Sequence, residues 1–169
     1  MNTKEIIQDA LGASNNAVLS IIDEMSYAPT TFPTANGGCH PLWVLGHLTF
    51  IEGAMPELLL GEINPVEGWQ RYFGNGTVPL ADADKYPSLS EIREKYLQLR
   101  ERNLKLLESL SEEELDKPTR TQPKGLEKQF ATYGKSFMTL ALHQMSHRSH
   151  LTDARRSAAL SAQAAHGAD

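Results

Sequence analysis

Across residues 3–25 the apolar positions Ile6, Ile7, Ala10, Ala13, Ala17, Ile21, Ile22 and Met25 recur at spacings of three and four. That period puts them on one stripe of an amphipathic helix, with Thr3 expected as its N-cap. Residues 27–38 then carry Pro29, Pro33 and the pair Gly37-Gly38, the composition of a loop. A second helix is expected from Pro41, because a first-turn proline gives up an N–H that has no helical partner anyway. Its apolar residues include Trp43, Val44, Leu48, Phe50, Ile51, Ala54, Leu58 and Leu59, with His47 among them and Gly61 after them. Pro56 is expected to kink it.

Residues 62–87 contain Asn64-Pro65, Gly74-Asn75-Gly76 and Pro79 and show little periodicity. So long a stretch inside a compact domain is either functional or a crossover. Ser88 and Glu91 form a capping box that opens a third helix. Ile92, Tyr96, Leu99, Leu106, Leu107 and Leu110 line its inner face. Ser111 and Glu114 repeat the pattern before a short helix that Pro118 stops. A second loop runs to about residue 131, and a fourth helix covers residues 132–160. The Ala-rich residues 161–169 are expected to fray. The pattern shows no internal repeat and no strand alternation. The expected fold is all-α: one domain over residues 1–160, a four-helix bundle with a long crossover between the second and third helices.

A length of 169 residues fits one domain and suffices for a core without cross-links. The single cysteine, Cys39, excludes a disulfide framework and any Cys-rich zinc module. The opening MNTKEIIQDA lacks the apolar stretch of a signal peptide, and no apolar run approaches membrane-spanning length, so the expected location is the cytoplasm. The net charge of −5, from 16 basic and 21 acidic residues without a basic run, offers no footprint for nucleic acid. Cys39 stands near a helix start, where a thiol can be acidified, but a lone thiol reads as inert structure. Glu52, five past His47, reads as a solvated charge.

The candidate chemistry lies on two helices. His143 and His147 are four apart, a spacing that stacks two imidazoles on one helix face. His150 follows three residues later near the same face, and the apolar Leu140, Met145 and Leu151 around them point the group inward. His47, between Trp43 and Ile51, occupies an apolar stripe on the second helix. An inward imidazole needs a partner for each ring nitrogen. A shared metal ion would satisfy one on each ring; hydrogen bonds among the histidines and water are the alternative. Gln144 stands where a zincin would need its glutamate, no histidine has the glutamate three before it that a di-iron bundle needs, and finger-type cysteines are missing. What remains is a three-nitrogen site with open positions, suited to zinc or nickel.

Trp43-Val-Leu-Gly-His47-Leu and His143-Gln-Met-Ser-His147-Arg resemble the DinB-like superfamily, the damage-inducible and YfiT-type four-helix bundles. The layout is similar over nearly the whole chain, including Tyr86-Pro-Ser-Leu-Ser-Glu-Ile and Ser111-Glu-Glu-Glu-Leu-Asp-Lys-Pro118. The resemblance implies a divalent metal held by His47, His143 and His147, and a homodimer. It also implies a small-molecule substrate for a transferase or isomerase that uses a low-molecular-weight thiol, or for a metal-dependent hydrolase. Such proteins often continue as H-x-G-Q after the last ligand, whereas Arg148-Ser149-His150 here puts a histidine in place of the glutamine. His150 is therefore a candidate fourth ligand, ligand partner or cavity-wall residue, and Arg148 and His150 are the candidate cofactor-binding residues. Trp69, Arg71 and Tyr72 in the crossover are further candidates for an anionic cofactor. The rival expectation is a non-catalytic, metal-stabilised dimeric binding or structural module.

Overall fold

The computed structural model describes residues 1–26, 28–32, 34 and 38–166, with the backbone alone at residue 166. The first helix, α1 (Thr3–Glu24), is capped by Asn2 rather than Thr3. The Asn2 side chain accepts from the Glu5 N–H while the Glu5 carboxylate accepts from the Asn2 N–H. The reciprocal box needs an acidic residue three positions on; Asn2 has Glu5 there, and Thr3 has Ile6. The loop expected over residues 27–38 falls partly on residues 27, 33 and 35–37, which lie outside the described residues.

Helix α2 (Pro41–Leu60) begins with Pro41 at its first position, as expected, and ends at Gly61, whose φ of 75° is left-handed. Its N-cap is the imidazole of His40, whose Nδ1 accepts from the Trp43 N–H. The helix continues through Pro56. A proline cannot donate to the carbonyl four residues back, here that of Glu52. The Asn103 side-chain amide supplies the missing donor at 2.9 Å.

The crossover contains a 3₁₀ turn (Glu67–Trp69), a one-turn helix α3 (Gln70–Phe73) and a second 3₁₀ turn (Ala83–Lys85). Helix α4 (Leu89–Ser109) starts at Ser88, whose hydroxyl accepts from the Glu91 N–H. Ser111 and Glu114 exchange the two bonds of a capping box at the next 3₁₀ turn, Glu113–Asp116. Helix α5 (Tyr133–His166) runs past residue 160, and residues 167–169 of the expected tail lie outside the described residues. Among the described residues no helix is long and apolar enough to cross a membrane, and Pro118–Thr132 is an isolated β-bridge with no strand around it.

The order of buried residues along each helix gives the topology. One apolar cluster gathers Val18, Ile21 and Ile22 of α1, Leu42, Leu45 and Leu48 of α2, Ile92 and Tyr96 of α4, and Leu151 and Ala154 of α5. The other gathers Ile7 and Leu11, Met55 and Leu59, Leu107, and Phe137 and Leu140 from the same four helices, with Leu110 just past the end of α4. Helices α1 and α5 therefore run from the second cluster to the first, and α2 and α4 from the first to the second. Two consecutive parallel helices need a return path of about a helix length, ~30 Å for 20 residues, which is why the crossover is long. Between the clusters lies a layer of buried polar side chains: Ser14, Glu52, Arg100, Asn103 and Gln144.

Candidate metal centre

His47 projects from the first-cluster half of α2 and is 3% exposed. Its ring lies flat against Trp43, one turn earlier, at 4.8 Å between centroids and 6° between planes. Its Nδ1 lies 2.7 Å from the backbone carbonyl of Phe73 in the crossover. A carbonyl can only accept, so Nδ1 carries the proton and Nε2 presents a lone pair.

That lone pair faces α5. His47 Nε2 and His143 Nε2 are 3.3 Å apart, and His143 Nε2 and His147 Nε2 are 3.1 Å apart. The ligand atoms of the three residues all lie within 4.8 Å of one another. Three neutral imidazoles carry three protons, and the His47 proton is fixed at Nδ1. Whether or not His143 Nε2 is protonated, a simple donor–acceptor pair forms at one of the two Nε2 contacts at most. One cation accepting all three lone pairs removes the conflict. Nitrogens bound about 2.1 Å from a common ion are separated by ~3.0 Å at right angles and ~3.4 Å in a tetrahedron; the two measured contacts fall in that interval. The residues fit a metal ion.

Burial pushes the His143 imidazole down to about 4 and His147 down to about 3, with the neighbouring imidazoles adding to the effect. Burial lowers His47 as well, against the pull of the Phe73 carbonyl. All three are therefore neutral at pH 7, the form that donates to a metal. The Nδ1 atoms of His143 and His147 are buried without a hydrogen-bond partner among the described residues.

The crossover reaches the site through backbone atoms. Trp43 Nε1 donates to the Tyr72 carbonyl and to Thr77 Oγ1, both at 3.1 Å, and so ties the crossover to α2. Gly46 makes room for it, because a Cβ there would stand 2.2 Å from the Phe73 ring. Phe73 is fully buried and stacks on Tyr86 at 5.3 Å.

The sequence profile of the DinB superfamily matches residues 10–151. The chain belongs to the DinB superfamily. The match spans α1 from residue 10 on, α2, the crossover, α4 and the part of α5 that carries the histidines. No curated protein matches this DinB-superfamily chain.

Among the remaining candidates, His150 is half-buried, edge-on to His147 at 5.1 Å, and lies outside the convergent trio. Arg148 is exposed on α5. Arg71 lies over the Tyr72 ring at 4.5 Å on the exposed side of α3, while Trp69 and Tyr72 pack around Phe73. Burial raises the Cys39 thiol, the opposite of activation.

Glu52 requires correction: it is no solvated charge but is completely buried. One carboxylate oxygen accepts from Arg100 at 2.8 Å and from the Gln144 amide at 2.9 Å, and the other from Asn103 at 2.7 Å. Burial pushes this carboxyl up, while the Arg100 guanidinium and the Asn103 amide pull it back. Sequence reasoning also missed the Phe73 carbonyl, a backbone atom that no side-chain pattern marks.

Proposed function

We propose that His47, His143 and His147 hold one divalent cation, and that this DinB-superfamily chain is a metal-dependent transferase that uses a low-molecular-weight thiol, or a hydrolase. The observation that carries the metal reading is the convergence of three Nε2 atoms, one with its tautomer fixed by the Phe73 carbonyl. Three imidazoles with a free coordination position suit zinc, and nickel by donor type. Such an ion would supply Lewis acidity, lowering the pKa of a water or thiol held there toward neutrality.

The chain's own residues supply the rest. Burial keeps the three imidazoles neutral. Trp43 covers one face of His47, and the Phe73 carbonyl orients the ring and raises its basicity. A groove of about 550 Å³ abuts His143 and is walled mainly by apolar residues, among them Phe50, Leu58, Phe130 and Leu140. Its size suits a small-molecule ligand, and this groove favours catalysis over a purely structural ion. The structural reading draws on one feature, since the trio joins α2 to α5 and an ion there would pin the two helices together.

Elemental analysis of protein purified without chelator or polyhistidine tag, beside His143→Ala, tests the proposal. Near-stoichiometric zinc or nickel that disappears in the variant supports the site. Metal-free wild-type protein that gains no thermal stability from either ion refutes it. A cobalt-substituted site whose absorption changes when small thiols are added separates the transferase reading from the structural pin.

A further inference from the structure

The polar layer between the two apolar clusters has no part in the chemistry proposed above. It nevertheless meets the metal centre on two helices. Gln144 follows His143 directly, and Glu52 lies five residues beyond His47, about one and a half helical turns.

Gln144 is fully buried and every polar position of its amide is used. Its carbonyl oxygen accepts from Ser14 of α1 at 2.6 Å, and its NH₂ donates to Glu52 of α2 at 2.9 Å and to the Tyr96 hydroxyl of α4 at 3.0 Å. Glu52 in turn binds Arg100 and Asn103 of α4, and Asn103 also takes up the Glu52 carbonyl freed by Pro56. One side chain of α5 thus contacts all three other long helices at a single level. Sliding α5 by one turn against α2 would part the Gln144 amide from Glu52, which keeps Arg100 and Asn103 of α4, and so costs a buried N–H its acceptor. A uniformly apolar core at this level would leave that register free, since apolar contacts are non-directional.

We infer that Gln144 and Glu52 are positioning residues for the metal centre: their pairing fixes the register of α5 against α2 and so sets His143 and His147 opposite His47. This rests on the metal reading. Replacing a buried polar cluster by apolar residues of similar volume is often neutral or stabilising, so stability and metal geometry separate experimentally. The test compares wild type with the combined variant Glu52→Met/Arg100→Met/Gln144→Leu, with Gln144→Met alone, and with Leu107→Ala as a control in the cluster away from the histidines. In the combined variant Asn103 keeps the residue-52 backbone carbonyl, Tyr96 keeps Asn15, and the Ser14 hydroxyl, released from Gln144, turns its proton to the Leu11 carbonyl at 3.0 Å.

The readouts are the thermal midpoint, the Zn²⁺ dissociation constant from competition with a chromophoric chelator, and the absorption spectrum of the Co²⁺ form. The combined variant is expected to melt at or above the wild-type temperature, bind Zn²⁺ about tenfold or more weakly and show a shifted Co²⁺ band. Should it fail to fold, Gln144→Met is expected to lose both stability and Zn²⁺ affinity, and Leu107→Ala stability alone. Folded polar-layer variants with Zn²⁺ affinity within about twofold of wild type and an unchanged Co²⁺ spectrum would overturn the inference but leave the metal reading intact. Wild-type protein that binds no Zn²⁺ would overturn both.

Discussion

His47 is oriented by the main chain of Phe73: its Nδ1–H donates to that carbonyl at 2.7 Å, across 26 residues of sequence. The partner of this ligand is a backbone atom, so no truncation of the Phe73 side chain removes it directly. The contact depends on the crossover lying close against α2, and Gly46 is where α2 yields the space.

Gly46→Ala is therefore expected to damage the site without touching a ligand. The new Cβ would sit 2.2–2.5 Å from the Phe73 ring, which is fully buried, so the ring and the crossover that carries it must shift. Overpacking of this kind costs about 1–3 kcal/mol, and a displaced ligand partner weakens metal binding by roughly 10–100-fold. Urea denaturation and Zn²⁺ titration check the two effects. Unchanged Zn²⁺ affinity would show that the Phe73 carbonyl does not tune the ligand.

Trp43→Phe tests the tie from the other side. Phenylalanine can still stack on His47 but cannot donate to the Tyr72 carbonyl and Thr77. The Tyr72 carbonyl keeps the Thr77 hydroxyl within hydrogen-bond reach, so loss of the indole anchor is expected to cost about 0.5–1.5 kcal/mol, the net worth of a hydrogen bond. Hydrogen exchange should rise at residues 70–77 more than in α4. Uniform exchange across the chain would argue against a local anchor.

The helices and the histidine trio were legible in the sequence because both rest on period. Apolar residues three and four apart marked α1, α2 and α4, and the four-residue spacing of His143 and His147 marked a shared face. The long crossover was legible as a run without period. The polar layer was not, because the rule that places charges outside sent Glu52 to solvent. A signal did exist: Leu48, Glu52, Met55 and Leu59 form one stripe, as do Tyr96, Arg100, Asn103 and Leu107. Polar residues at stripe positions on two helices mark a buried pairing, but spacing along one chain does not say which helices meet. Thr3 lost the N-cap to Asn2 because the cap is decided by the residue three positions on.

The metal-free protein is expected to lose stability as the pH falls below about 6.5. His143 and His147 are held at about 4 and about 3 in the folded chain, against an ordinary value of 6.5. Between those limits the unfolded chain binds more protons than the folded one, so stability declines with falling pH and is unaffected by these rings above the window. Thermal melts of metal-free protein from pH 7.5 to 4.5 should show the decline, and His143→Ala should flatten it. An equally steep decline in His143→Ala and His147→Ala would assign it to other groups.

Glu52→Ala poses the sharpest stability question, because it removes the acceptor and leaves the Arg100 guanidinium behind. Arg100 is 4% exposed, and two of its nitrogens already lack partners among the described residues. Breaking a buried pair from one side costs about 3–5 kcal/mol, most of it the penalty of a stranded charge rather than the worth of the pair. Glu52→Ala/Arg100→Met removes that charge as well and should recover much of the loss. Denaturant midpoints of the single and double variants decide the matter. A double variant no more stable than Glu52→Ala would place the cost in the lost bonds to Gln144 and Asn103 instead, since those are broken in both.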